Sequence, residues 1–156
     1  FHKSFGDRAE PSKLMAKVAE SGRLGKKNNK GFYLYEDGKK GEVDSTIYST
    51  LGLGSPTDPI SKEDCIRRCI YAMINEAALT LIEDRISEKA EEVDLAMIMG
   101  TGFPPFRGGL LRYADSIGTK NIADQLEEYA SKVGPRFRAA KPLVNLAKND
   151  KKFYGS

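Results

Sequence analysis

A ten-residue stretch from Gly100 to Gly109, with the sequence GTGFPPFRGG, constrains the fold of this chain more than any other segment. Two adjacent prolines cannot continue a helix, because each lacks a backbone N–H and its ring clashes with the preceding turn. The four glycines around them allow positive φ angles and close approach of the backbone. Two phenylalanines are unusual in a solvated loop, so Phe103 and Phe106 are expected to be buried. The stretch therefore predicts a rigid, packed corner between two helices.

The length and composition are those of one folded domain, or of one domain and part of another. The chain has 156 residues, of which 40% are hydrophobic and 30% are charged, as expected for a core with a solvated surface. Its 25 basic residues are interleaved with 22 acidic ones, which gives a net charge of +3. Nucleic-acid-binding proteins concentrate Lys and Arg on one face, so no nucleic-acid partner is expected. No apolar run approaches the ~20 residues of a membrane helix.

The first residue of the chain indicates whether the sequence is part of a longer polypeptide, and its cysteines indicate the redox state of its cellular compartment. The sequence begins at Phe1, without an initiator Met or a signal-peptide pattern, so we expect it to be part of a longer polypeptide. Cys65 and Cys69 are four residues apart on a predicted helix and are expected to be reduced core residues. Reduced cysteines suit the cytoplasm. His2, the only histidine, lacks partners at ligand spacing, so no metal site is predicted.

Apolar residues recur at helical spacing along most of the chain, which predicts an all-α fold. A short helix is expected within residues 8–21, and the strongest helix begins at Ser61 and continues to about Glu83. Three more helices are expected, from near Glu91 to Gly100, from Leu110 to Gly118, and from Ile122 to Val133. Residues 31–35 are expected to be extended, and the glycines and prolines of 52–59 mark a boundary between two units.

Residues that could carry catalytic chemistry are few. The glycine pairs at 52–54 and 100–102 lack the preceding strand and the following helix of a dinucleotide fingerprint, so no cofactor-binding residue is predicted. Adjacent carboxylates such as Glu91 and Glu92 do not face each other on a helix and are expected to be solvated. The sequence contains no phosphate-loop or nucleophile-elbow motif. We therefore predict no catalytic residue and no self-contained active site.

Two polar features have both a structural and a functional interpretation. Asn75 and Glu76 lie in the apolar middle of the strongest predicted helix, where they could bond a neighbouring segment or line a ligand pocket. Buried polar groups are usually satisfied structurally, which favours the first interpretation. The segment 22–30 carries Lys26 and Lys27 and is either a solvated loop, which is the commoner case, or a phosphate-binding patch.

Two stretches resemble a known family. Residues 22–35, GRLGKKNNKGFYLY, resemble the segment that closes the C-terminal domain of 3-hydroxyacyl-CoA dehydrogenases. Residues 94–118, which contain GFPPFRGG followed by Asp115 and Gly118, resemble the second C-terminal repeat of multifunctional fatty-acid oxidation enzymes. The segment 73–76, MINE, fits the same repeat. Together these matches cover residues 10 to about 120 in the order that the family has them.

The resemblance implies a helical C-terminal domain of the 6-phosphogluconate/3-hydroxyacyl-CoA dehydrogenase type, with no Rossmann sheet in these residues. Residues 1–41 would be the end of the first helical repeat, 42–60 a linker, and 61–156 the second repeat. The parent enzyme would oxidise (3S)-3-hydroxyacyl-CoA with NAD in β-oxidation. The NAD-binding domain and the family's catalytic residues lie N-terminal to the matched region, and none of them maps onto this chain.

The resemblance also implies partners and a contact surface. The partners would be the Rossmann domain and the first helical repeat of the same polypeptide, with the second repeat supporting the acyl-CoA side of the site. A fused crotonase-type hydratase module and a homodimer are both compatible with the family. Lys26, Lys27 and Arg107 are the basic residues near the recognised motifs, which makes them the candidate substrate contacts. The alternative is a non-catalytic helical module that binds a partner protein through the corner and an apolar face.

Overall fold

The computed structural model describes residues 12–54 and 60–155. The chain divides into two compact units, Phe1–Pro59 and Ile60–Ser156. The regular elements are α1 (Lys13–Glu20), β1 (Tyr33–Glu36), β2 (Lys39–Val43), α2 (Thr46–Leu51), α3 (Lys62–Ala78), α4 (Ala90–Thr101), α5 (Leu110–Ile117), α6 (Thr119–Lys132) and α7 (Lys141–Lys148). The predicted helical class is therefore confirmed, and no Rossmann sheet lies within the described ranges.

The first unit contains two short helices with a small apolar cluster between them. The Ser12 hydroxyl caps α1 by accepting a hydrogen bond from the Met15 N–H at 3.4 Å. Val18 of α1 is buried together with Ile47 and Leu51 of α2. Because each helix has fewer than three turns, packing of this cluster rather than helix propensity must stabilise them.

The predicted extended segment is one half of a β-hairpin. β1 pairs antiparallel with β2, and Tyr33 lies opposite Val43. The turn consists of Asp37 and Gly38, whose φ angles are 48° and 72°, as two-residue hairpin turns require. The sequence pattern predicts only the first of the two strands, so β2 is an additional element within the confirmed helical class. The Asp-Gly pair is the signal that could have identified it.

The segment 42–60, expected to be a linker, includes the end of β2 and all of α2. Residues 55–59 lie outside the described part of the chain, as do residues 1–11 with His2. The division into the end of one repeat, a linker and a second repeat stays a prediction.

The second unit is built around a single helical core. The Ser61 hydroxyl accepts a hydrogen bond from the Asp64 N–H at 3.0 Å and so caps α3. A π-helical segment, Leu79–Glu83, continues α3, and helical structure therefore extends to Glu83 as predicted. The largest fully buried side chains come from α3, α5, α6 and α7: Ile74, Leu110, Leu111, Ile122, Leu126 and Leu143. The core thus lies where these four helices meet.

Cys65 and Cys69, predicted to be core residues, are exposed free cysteines. Ile66 beside them is 52% exposed. The buried face of α3 includes Tyr71 and Ile74 instead. Residues spaced by four share one side of a helix, and the side that carries the cysteines faces away from the core of this unit. The prediction of buried cysteines is therefore wrong for the described part of the chain.

The corner is present, but only one of its two phenylalanines is buried. Phe103 is 5% exposed, and its ring centroid lies 6.3 Å from that of Tyr113. Phe106, in the 3-10 turn Pro105–Arg107, is 82% exposed, which corrects the prediction that both rings are buried. The preceding helix is capped at its C-terminal end by Gly102 rather than by Gly100, so the corner begins two residues later than predicted.

Candidate functional site

The carboxylate of Asp94, buried on α4, organises the corner. Its oxygens accept hydrogen bonds from the backbone N–H groups of Leu111 at 2.6 Å and Arg112 at 3.0 Å. The first N–H groups of a helix have no partner within it, so a side chain from one helix caps the next. Gly109 allows this approach, because a Cβ there would lie 2.3 Å from Asp94 Cγ.

The C-terminal segment is fixed to the same helices. Asp115 accepts hydrogen bonds from the N–H groups of Phe153 at 2.8 Å and Tyr154 at 3.0 Å. The Tyr154 hydroxyl donates to Asp94 Oδ2 at 2.7 Å. Burial, and then this bond to a carboxylate, raise the pKa of Tyr154, so the phenol stays protonated and remains a donor. Two carboxylates thereby hold the corner and the chain end together.

Arg107 lies on the outer side of the corner. Its guanidinium carbon is 5.6 Å from the Phe106 ring centroid and 5.0 Å from that of Tyr113. Arg112, on the first turn of α5, lies 3.5 Å from the Tyr154 ring centroid. These distances are those of cation–π contacts, so aromatic rings orient both guanidinium groups.

Asn75 has the structural role that its position favours. Its amide Nδ2 donates to the Arg138 carbonyl at 3.0 Å, and its Oδ1 accepts from the Ala140 N–H at 2.7 Å. The side chain is 7% exposed, so the amide satisfies two backbone groups in the segment before α7. Glu76, the next residue, is exposed and lines the groove described below.

An apolar groove of about 660 Å³ lies between α3 and α4. Met73 and Ala77 line one side, and Val93 and Met97 line the other. Glu92 also lines it, and its carboxylate accepts a hydrogen bond from the Ser87 hydroxyl at 2.8 Å, which holds its pKa below the usual range. This α3/α4 groove is large enough for several side chains of another segment, and it offers apolar walls with a fixed negative charge.

The exposed cysteines continue one wall of the groove. Cys65, Cys69 and Met73 are spaced by four, so they form one row along α3. On α4, Leu95 and Met99 are also spaced by four and are 62% and 78% exposed. Apolar surface therefore extends from the groove along both helices, as on faces that bind another protein segment.

The first unit places Lys26 and Lys27 on an exposed loop. This loop is closed by Arg23, whose Nη1 lies 2.7 Å from Asp44 Oδ2 and donates to the Gly31 carbonyl at 2.8 Å. Arg23 and Asp44 are both buried. The Thr46 hydroxyl, followed by Arg23, lowers the pKa of Asp44 to about 2. The ion pair gives the loop a fixed base, and both lysines on the loop are exposed.

The predicted substrate contacts thus lie in different units, Lys26 and Lys27 in the first and Arg107 in the second. Their role stays a prediction. Sequence reasoning missed Asp94, which is the centre of the corner, because its bonding partners are 17 and 18 residues away and leave no local pattern. The exposed arginine Arg112 was also missed.

The described part of the chain contains no group of three or more His, Cys, Asp and Glu side chains that could hold a metal ion. In residues 12–54 and 60–155, no helix has the length and apolar character needed to cross a bilayer.

Comparisons with known proteins find close relatives over nearly the whole chain. The chain is 40% identical over 153 residues to the fatty acid oxidation complex subunit alpha of Shewanella halifaxensis, and 39% identical over 149 residues to that of Vibrio parahaemolyticus. These alignments cover 97% and 96% of this chain, but it spans only 21% of either relative. No protein-family model matches the chain.

A solved structure has the same fold. The crystal structure of the dehydrogenase part of multifunctional enzyme 1 from C. elegans matches with a TM-score of 0.57 and 25% identity. The match covers 92% of this chain and 34% of that one. The chain is therefore homologous, over nearly its whole length, to one part of the alpha subunits of fatty acid oxidation complexes, as its two motifs indicate.

Proposed function

We propose that this chain is the C-terminal helical region of an NAD-dependent (3S)-3-hydroxyacyl-CoA dehydrogenase that acts in fatty-acid β-oxidation. Residues 1–41 would form the end of the first helical repeat, residues 42–60 a linker between the two repeats, and residues 61–156 the second repeat. The observation that carries the proposal is the similarity over 97% of the chain to fatty acid oxidation complex alpha subunits. The likeness to the dehydrogenase part of a multifunctional enzyme supports the same assignment.

The described residues do not form a binding site that fits NAD. A dinucleotide site needs a glycine-rich turn that follows a strand and opens a helix. Gly52 and Gly102 instead cap the C-terminal ends of α2 and α4, where the helix dipole presents negative charge that would repel a pyrophosphate. We therefore place NAD and the catalytic groups in the other parts of a longer polypeptide, and assign them no residue of this chain.

The role we propose for the second unit is that of a scaffold. The α3/α4 groove and the apolar row that continues it are the surface on which parts of the longer polypeptide outside this chain would pack. The relatives are about five times longer than this chain, so ample chain exists to cover that surface. A thiol-labelling experiment tests this proposal directly, because Cys65 and Cys69 lie at the edge of the surface.

Both cysteines should react rapidly with a maleimide in this chain and slowly in the full-length gene product. Ser131→Cys, at an exposed position on α6, serves as the control and should react equally fast in both. Equal labelling of Cys65 and Cys69 in the two proteins would show that the row stays uncovered and would contradict the scaffold role.

Activity measurements test the enzyme assignment. Formation of NADH from a (3S)-3-hydroxyacyl-CoA should be absent with this chain alone and present with the full-length product. Oxidation of the substrate by this chain alone would place catalytic groups within it and would refute the proposal.

We further propose that Lys26, Lys27 and Arg107 contact the acyl-CoA substrate. A fused crotonase-type hydratase module or a homodimer would complete the assembly. The enzyme would act in the cytoplasm.

A helical protein-interaction module is the second candidate function. The exposed ring of Phe106 and the open α3/α4 groove favour it, since aromatic and apolar residues are enriched where proteins bind each other. The residues upstream of Phe1 in the gene separate the two candidates. A Rossmann fingerprint there supports the dehydrogenase, and its absence supports the interaction module.

A further inference from the structure

A short sequence pattern occurs once in each unit of this chain. Residues 15–17, MAK, in α1 correspond to residues 146–148, LAK, in α7. Residues 30–33, KGFY, which lead into β1, correspond to residues 151–154, KKFY, which follow α7. The same order of helix, lysine and Phe-Tyr pair thus occurs twice, so the surroundings of the two Phe-Tyr pairs, residues 32–33 and 153–154, can be compared directly.

The Phe-Tyr pair of the second unit is held by the helices of that unit. Phe153 is 5% exposed and belongs to the main apolar core, as does Leu146. Asp115 accepts hydrogen bonds from the N–H groups of Phe153 at 2.8 Å and Tyr154 at 3.0 Å. The segment is therefore fixed in two ways, by an apolar recess for the phenylalanine and by one carboxylate that accepts from two successive N–H groups.

The Phe-Tyr pair of the first unit has neither kind of contact among the described residues. Phe32 is 44% exposed, and Met15, the counterpart of Leu146, is also exposed. The Phe32 carbonyl accepts a hydrogen bond from the Asp44 N–H at 3.0 Å, but the Phe32 N–H donates to no group within residues 12–54 and 60–155. The ring and the N–H that are both satisfied at Phe153 are thus both left open at Phe32.

The N–H of Tyr33 is directed away from the neighbouring strand. The Tyr33 carbonyl accepts a hydrogen bond from the Gly31 N–H at 3.0 Å, and the N–H and C=O of one strand residue point to the same edge of the strand. The Tyr33 N–H therefore does not donate to β2. Two successive N–H donors beside an exposed aromatic ring form a surface that can bind a carboxylate and an apolar recess together.

The charge of the first unit favours an acidic partner at this surface. Residues 12–54 contain eight Lys and Arg side chains but five Asp and Glu side chains. Lys40 Nζ lies 3.7 Å from the Tyr33 ring centroid, and in the second unit Arg112 lies 3.5 Å from the Tyr154 ring centroid. A cation is thus placed beside each tyrosine, and it would attract a carboxylate that approaches the N–H groups of residues 32–33.

We propose that Phe32 and Tyr33 form a docking surface for a helical segment that resembles α5 and carries an aspartate. This aspartate accepts hydrogen bonds from the Phe32 and Tyr33 N–H groups, as Asp115 does from Phe153 and Tyr154, and the Phe32 ring enters an apolar recess beside it. The surface rests on the comparison of the two units. The location of the helical segment in the same longer polypeptide rests on the proposed function and on the length of the relatives, of which this chain spans 21%.

The first test compares amide hydrogen exchange in this chain and in the full-length gene product, by mass spectrometry on overlapping peptides. The N–H groups of Phe32 and Tyr33 should exchange rapidly in this chain and at least about tenfold more slowly in the full-length product. Those of Phe153 and Tyr154 are the internal control, and they should be slow in both because Asp115 bonds them. Equal exchange of the Phe32 and Tyr33 amides in the two proteins would overturn the proposal.

The second test identifies the aspartate. The gene sequence upstream of Phe1 should contain a helical segment with an aspartate three residues before a glycine, as Asp115 stands before Gly118. Substitution of that aspartate by asparagine in the full-length product places an NH₂ group against an N–H donor, so it should restore fast exchange at residues 32–33 only. Asp115→Asn is the matched control and should restore fast exchange at residues 153–154 only.

Absence of such an aspartate upstream would overturn the proposal, as would slow exchange at residues 32–33 that its substitution does not relieve. Formation of NADH by the full-length product is measured in parallel. Protected amides without formation of NADH would support the docking surface and refute the dehydrogenase assignment. Formation of NADH with unprotected amides would support the dehydrogenase and refute the docking surface.

Discussion

The backbone of Gly109 lies directly against the side chain of Asp94, with no room for another atom between them. A Cβ at Gly109 would lie 2.3 Å from Asp94 Cγ and 2.4 Å from its Cβ, and the φ angle of the glycine is 115°. This contact lets the carboxylate cap α5 from α4. The corner therefore depends on a glycine whose role is to leave space for a buried charge.

Gly109→Ala should destabilise the chain by about 3 kcal/mol, because strain at this φ angle adds to displacement of the Asp94 cap. Gly100→Ala is the control. It lies within α4 with nothing within 4 Å of the added Cβ, so it should stabilise the helix by about 0.5–1 kcal/mol. Urea unfolding measures both. Similar stabilities of the two variants would show that Asp94 and Gly109 are not in tight contact.

The two phenylalanines of the corner should respond oppositely to truncation. Phe103→Ala should cost about 3–5 kcal/mol, because it empties part of the core. Phe106→Ala should change stability by less than about 0.5 kcal/mol, because its side chain is mostly in water. Thermal melts of the two alanine variants measure both changes in stability. A large loss of stability on truncating Phe106 would mean that the ring is buried after all.

Asn75→Ala should destabilise the second unit by about 1–3 kcal/mol, since the Arg138 carbonyl and the Ala140 N–H would both lose their partner. Asn145→Ala, at an exposed position on α7, should leave stability within about 0.5 kcal/mol of the wild type. Urea unfolding compares them. If Asn75→Ala were instead neutral but altered ligand affinity, the ligand-pocket interpretation of Asn75 would be the correct one.

The first unit should lose stability in acid through Asp44. Its pKa is lowered from 3.8 to about 2 in the folded chain, by the Thr46 hydroxyl and then by Arg23. A lowered carboxyl pKa stabilises the fold above the unfolded value, and that contribution is lost as the pH falls from 3.8 towards 2. Amide exchange at Val18 and Ile47 reports on this unit. Asp44→Asn should flatten the pH dependence in that window, and an unchanged slope would contradict the assignment.

Helix positions and capping were largely predictable because their signals are local. Ser61 caps α3 as its spacing indicates, α5 starts at Leu110 and is followed by Gly118, and the structural interpretation of Asn75 is the one its bonds support. Each of these depends on residues within a few positions of one another, or on the general rule that buried polar groups find partners.

The exposed side of α3 was not predictable in the same way. Helical periodicity marks Cys65, Cys69 and Ile66 as apolar, but it does not say whether the neighbour that covers them lies in this unit or elsewhere. Phe106 illustrates the same limit in a turn. Which of two phenylalanines packs inside depends on the direction in which the corner bends, and the prolines and glycines specify only that it bends.

The sequence by itself determined the approximate positions of α1, α3, α4, α5 and α6, that a corner separates α4 from α5, and which protein family the chain resembles. Capping, periodicity and motif order act over short distances along the chain, and so they survive in the sequence alone. The tertiary structure alone decided that Asp94 holds this corner, that Phe103 rather than Phe106 is buried, and that the side of α3 with Cys65 and Cys69 faces away from the core of the second unit. These relations join residues distant in sequence, and only packing of the whole second unit brings them together.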